Sequence, residues 1–140
     1  MIVTREDIRQ VVYAKVEALR ASFTDYPLKV VYTNGSTLNA SEQTNPWLAV
    51  SIVYMDGEQI GLGKRPNYRS MGNLMLEAKD RPGVGTARLN RLLEHFFRPL
   101  QMSDQLLPLR TYAAKLASGG VIDGWASEAA AIPFWYDTST

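Results

Sequence analysis

The chain has no cysteine and a single histidine in 140 residues. The first absence excludes disulfides, thiolate nucleophiles and cysteine zinc sites, and fits a reducing compartment or a particle assembled in one. The second leaves acid–base catalysis with one side chain of its commonest type, His95, which stands between Glu94 and Phe96 with no nucleophile pattern nearby. A surface or packing role is the simpler account of it. Charge of one sign is also missing. Fifteen Lys and Arg against 14 Asp and Glu leave a formal net charge of +1 and a pI of about 8.0. That balance does not suit a chain whose main work is electrostatic binding to nucleic acid or acidic membrane, and it leaves only local patches for such contacts. No apolar run approaches the roughly 18 residues that cross a bilayer, and the start from Met1 to Asp7 does not have the form of a signal peptide, so synthesis in the cytoplasm and no membrane contact are expected.

What is present reads as one ordinary domain over residues 1–140, since 46% hydrophobic and 21% charged residues are close to the globular average. The strongest strand signal is Trp47 to Met55, rich in β-branched and aromatic residues. Leu48, Val50, Ile52 and Tyr54 share one face and Trp47, Ala49, Val53 and Met55 the other, so both faces are expected to be buried. Asp56-Gly57 follows at once as a hairpin signal. The return through Glu58 to Leu62 is broken by Gly61, Gly63 and Pro66, and strand character resumes at Arg69 to Ala78, where Gly72, Leu74, Leu76 and Ala78 face one way and Met71, Asn73, Met75 and Glu77 the other.

Helical periodicity appears twice. Thr4 with Asp7 forms a capping-box pattern ahead of the stripe Ile8, Val11, Val12, Val16 and Leu19, which suits packing on a sheet better than a free partner-binding face. Thr86 is placed to cap a second helix whose Leu89, Leu92, Leu93, Phe96, Phe97 and Leu100 make a wide apolar face, with Arg88, Arg91, Glu94 and Arg98 opposite and Pro99 expected to end it. Between the helices lie a short strand at Leu28 to Tyr32 and a polar loop from Thr33 to Pro46, expected to be exposed and available for contacts. After them, Leu109 to Lys115 suggests a short strand, and the turn signals Ser118-Gly119-Gly120 and Asp123-Gly124 an irregular hairpin around Val121-Ile122. Trp125 to Tyr136 is a closing strand that Pro133 places at a sheet edge or a bulge. The expected fold is α+β, a mostly antiparallel sheet of four to five strands against two main helices.

No motif supplies chemistry. Gly83-Val84-Gly85 before a helix could cradle a phosphate, but it lacks the further glycine of a dinucleotide fingerprint and the Lys-Ser/Thr of a P-loop. Glu77 and Asp80, on a strand end and a turn, are more simply solvated than paired. No catalytic, cofactor-binding or metal-binding residue is therefore assigned, and no enzyme is expected. The features left over are positive. Lys64, Arg65 and Arg69 fall within six residues beside Tyr68, and Arg88, Arg91 and Arg98 share a helix face. A solvated loop and a solvated helix face are the bland accounts; contact with phosphates or with the carboxylates of a protein partner is the functional one.

The order of these pieces resembles a known family. An N-terminal amphipathic helix, the Trp47 strand, Arg69-x-x-Gly72-x-Leu74-x-Leu76, the Pro82-Gly83-x-Gly85 turn, the Leu92-Leu93-Glu94 helix and the closing Ile132-Pro133-Phe134-x-Tyr136-Asp137 together look like the tail terminator proteins of long-tailed bacteriophages. The resemblance spans nearly the whole chain, with Glu94 where an aspartate is often seen. It implies an α+β subunit that forms a ring, a hexamer by the family habit, on the head-proximal end of the tail tube in the virion, stops tube polymerisation and offers a surface to the neck proteins, while DNA only passes through the lumen. The implied partners are copies of itself, the tail tube protein and a neck or head-completion protein. A head-completion or neck connector, and from another class a small host ligand-binding domain, are the alternatives. The candidate interface residues are Lys64, Arg65, Tyr68, Arg69, Arg88, Arg91 and Arg98.

Overall fold

A computed structural model of the chain describes residues 3–32, 45–60, 67–103, 106–122 and 124–139. The order is α1 (Arg5–Ser22), β1 (Val30–Tyr32), β2 (Trp47–Ile60), β3 (Asn67–Asp80), α2 (Ala87–Leu100), β4 (Arg110–Thr111), β5 (Lys115–Ile122) and β6 (Trp125–Ser139). The class is α+β in a single domain, and the sheet has six strands, one or two more than expected. The extra count comes from the two-residue β4 and from β5, a full strand of eight residues in place of a small irregular hairpin. The strands lie in the order β1-β2-β3-β6-β4, with β5 also on β6; β1 runs parallel to β2 and every other pairing is antiparallel.

Both helices form for the reasons their sequences give. Thr4 accepts from the Asp7 amide at 3.2 Å while the Asp7 carboxylate accepts from the Thr4 amide at 2.8 Å, a reciprocal cap on α1. Thr4→Ala is expected to cost about 1 kcal/mol, readable as a shift in the urea midpoint. Ile8, Val12 and Val16 are buried from α1, and all six expected apolar residues of α2 are buried beside them. At the start of α2, Thr86 occupies the cap position but its side chain makes no capping hydrogen bond, because its backbone is in the αR region where the hydroxyl is not aimed at the following amides. Pro99 sits inside the last turn and α2 runs one residue further, to Leu100.

Both helices cover one face of the sheet. The core joins them to Leu48 and Val50 of β2, Leu74, Leu76 and Ala78 of β3 and Ala130, Ile132, Phe134 and Tyr136 of β6. Three expectations about the strands need correction. Asp56-Gly57 is not the hairpin turn. Met55 pairs with Met71 and Glu58 with Arg69, so these two residues oppose Ser70 alone in a bulge, and pairing continues to Ile60 with Asn67. The exposed loop expected at Thr33 to Pro46 falls outside the described residues except for Asn45 and Pro46.

The second correction concerns Pro133. β6 is not an edge strand, since β3 pairs with it along its whole length and β4 and β5 flank its other side. The Pro133 carbonyl accepts from the Tyr112 amide at 2.9 Å, so its backbone polar atoms point away from β3. Its missing N–H therefore costs the β3 ladder nothing, and it falls in the break between β4 and β5.

Third, β2 is not buried on both faces. Val53 and Met55 are 50% and 51% exposed, because both helices lie on the other side of the sheet.

Candidate interaction surface

Residues that pair directly across antiparallel strands share a face, so the uncovered face can be listed row by row from the register. Ala49, Glu77, Ala129 and Ala117 make one row, Ser51, Met75, Ala131 and Lys115 the next, then Val53, Asn73 and Pro133, then Met55, Met71, Trp135 and Arg110. None of these fifteen residues is buried, although most are apolar. At the α2 end of the strands the same face is closed by Trp47 and Trp125, whose rings meet edge to face at 5.7 Å, with Lys79 over Trp47 at 5.4 Å. An open groove of about 520 Å³ runs over the small residues, lined by Ala49, Ser51 and Ala129 with Val31, Val53 and Met75.

At the opposite end the aromatic and cationic groups concentrate. The Arg69 guanidinium stacks 3.8 Å over the Trp135 ring and its Nε donates to the Asp137 carboxylate at 2.9 Å. Arg110 approaches the same ring at 6.0 Å, and a notch of about 470 Å³ beside it is lined by Met102, Ser103, Thr111 and Tyr112. Trp, Tyr, Met and Arg are the residue types enriched where proteins meet. The third exposed feature is β5, whose residues Lys115 to Val121 are all exposed. Leu116 and Val121 lie on its helix-side face, because they pair with Ala130 and Ala126, and neither helix extends far enough to cover them.

The expected interface residues are distributed differently from the sequence picture. Lys64 and Arg65 lie outside the described residues. Tyr68 is exposed at the start of β3, and Arg69 is committed to Asp137 and Trp135. Arg88 is drawn inward. Its Nε and Nη2 donate to the carboxylate of the fully buried Asp80 at 3.1 and 2.9 Å, and Asp80 also accepts from the Arg81 amide at 2.8 Å. Asp80, read from sequence as solvated, is thus an anchor between the end of β3 and the first turn of α2. Arg91 is exposed, and Arg98 is exposed beside Glu94 at 3.6 Å, so the helix face is less one-signed than its arginines alone suggested. His95 packs: its Nε2 lies 2.9 Å from the Leu19 carbonyl and 3.0 Å from the Ser22 hydroxyl, and its ring meets Phe23 and Phe96 edge to face.

The titratable groups with displaced pKa are set by structure of this kind. Burial pushes the Tyr26 phenol up to about 12, and Tyr32 is raised by burial and by donating to the Glu17 carboxylate. Among the described residues no three His, Asp or Glu side chains gather as a metal site, and no helix is long and apolar enough to cross a membrane.

The open face was only half legible beforehand. Its signal was the apolar set Ala49, Val53, Met55, Met71, Met75, Ala129, Ala131 and Trp135, too apolar for a solvated sheet face in a chain with only two helices to cover its strands.

No family model and no curated protein matches this chain. Twenty-one chains of solved structures do match. One of them, which carries no functional name, aligns over 97% of this chain and 96% of its own with a TM-score of 0.63 at 15% sequence identity. At that identity the likeness establishes the fold alone: two helices on one face of a mostly antiparallel sheet.

Proposed function

We propose that the chain is a structural virion subunit of the tail-terminator type, which assembles as a ring on the head-proximal end of a phage tail tube, stops its growth and presents a surface for head joining. The observation that carries this reading is the exposed edge strand β5, with Leu116 and Val121 uncovered along it. A free, partly apolar edge is a liability in a protein that stays alone and an asset in one that assembles. The Arg69–Trp135–Arg110 stack supplies a second contact region of hot-spot composition, on the uncovered face at the end of the sheet away from α2. The family resemblance in the order of the strands and helices gives the assembly its identity, with copies of itself, a tube protein and a neck protein as partners.

Electron microscopy of the purified chain mixed with tail tubes tests it. Sixfold rings at one tube end are expected, and Leu116→Asp with Val121→Lys is expected to abolish them and give tails of uncontrolled length. Tails of normal length in the absence of the chain would overturn the reading.

A further inference from the structure

We infer that the uncovered sheet face is a self-association surface, on which a second copy of this chain packs face to face about a two-fold axis. The face is five strands wide and its four open rows span about seven residues of β2, from Ala49 to Met55. At about 4.8 Å between strands and about 3.4 Å per residue this gives on the order of 570 Å² per copy, roughly 1,100 Å² for the pair, just above the ~1,000 Å² that a specific interface clears.

Its composition points to a contact that can form and open. Alanine, valine, methionine, proline and tryptophan make up most of the face, with Ser51 on β2 and Asn73 and Glu77 on β3 among them, while Lys115 and Arg110 stand at the β5 and β4 margin. A face of that kind, mostly apolar with a few polar groups, has the composition of a non-obligate interface between proteins. A second copy is the one partner that is always made alongside it.

The relief of the face selects the same occupant. Small residues, Ala49, Ser51 and Ala129, line the groove, and two rows further along the strands Met55, Met71 and Trp135 form a ridge. A two-fold axis lying in the interface and perpendicular to the strands sets the ridge of each copy over the groove of the other. Sheets packed this way lie about 10 Å apart. Such a contact closes on itself and cannot propagate a ring. Pairing therefore does not depend on the ring reading. If the chain also caps a tube, whose two ends differ, the pair is its free form and opens before docking.

Analytical ultracentrifugation of the full chain should give a dimer, and Met71→Glu or Ala131→Glu should weaken it at least a hundredfold in Kd. Unchanged circular dichroism and melting would show that these variants still fold. The absence of native cysteine allows a geometric check. A short bismaleimide should join Ala49→Cys to Met55→Cys on mixing, because the axis brings these rows together, and should join neither variant to itself. A monomeric wild type, a dimer indifferent to both glutamates, or self-joining of Ala49→Cys would each overturn the pair. Rings on tubes are scored separately, so pairs without rings would remove the ring reading and leave this one standing, and rings without pairs would do the reverse.

Discussion

Gly72→Ala is expected to destabilise the fold by about 3 kcal/mol, and Gly72→Val to prevent folding, as read from urea unfolding and from yield of soluble protein. Gly72 lies in the middle of β3, paired with Tyr54 of β2 and Phe134 of β6. A Cβ placed there would stand 2.4 Å from the Val53 carbonyl oxygen and 2.6 Å from Cζ of Phe134. The Phe134 ring, which is buried, occupies the space a side chain would take. It meets Tyr54 edge to face with centroids 6.2 Å apart. Removing the ring relieves only one of the two clashes. Phe134→Leu on the Gly72→Ala background is therefore expected to recover part of the loss and no more, because the Val53 oxygen belongs to the β2 backbone and cannot rotate away. A fully restored double variant would mean that side-chain crowding alone fixes glycine at this position.

Gly72 also shows how sequence and structure divide the information. The alternation of Leu74, Leu76 and Ala78 against Met71, Met75 and Glu77 set the β3 faces correctly, as did the α2 stripe from Leu89 to Leu100, because a one-residue period error would move every apolar side chain to the wrong side. What the local pattern left open was what lies across from each residue. Asp-Gly occurs twice, and the same dipeptide serves two purposes. At Asp56-Gly57 the ladder continues past it to Ile60, and it becomes a bulge; before Trp125, Ile122 pairs directly with Trp125 and Gly124 takes φ +79°, so there the glycine serves a turn. Only the partner strand distinguishes the two.

Pro133 was misplaced for the same reason. Its pattern says that one N–H is missing from the ladder, and only the neighbours of β6 say on which side. Among the candidate interface residues, the arginines at helical spacing were legible as a charged face. That Asp80, eight residues earlier and on another element, claims Arg88 was not, because a contact between a strand end and a helix start leaves no periodic trace. The open sheet face was legible as residues and not as a surface. Its apolar members on β2 and β3 were identified and Trp135 of β6 was not, and whether a third layer covers them is a question of how many helices the chain can supply.

The Asp80–Arg88 pair gives the second large effect, and its asymmetry decides the direction. Asp80 is fully buried, whereas the Arg88 side chain keeps 37% of its surface in water. Arg88→Leu strands a carboxylate with no solvent to turn to and keeps for it the Arg81 amide as donor, and is expected to cost about 3–4 kcal/mol, near the range for breaking a buried pair. Asp80→Leu leaves a cation that can swing outward, so it is expected to cost about half as much. The double replacement should fall below the sum of the two, because the stranded charge is then gone, and an apolar pair of similar volume can approach the wild type. Chemical unfolding of the three variants measures the coupling. Equal costs for the two single variants would show that the pair is shared evenly with water, and that the first turn of α2 is held by its apolar residues, Leu89 and Leu92, and not by this anchor.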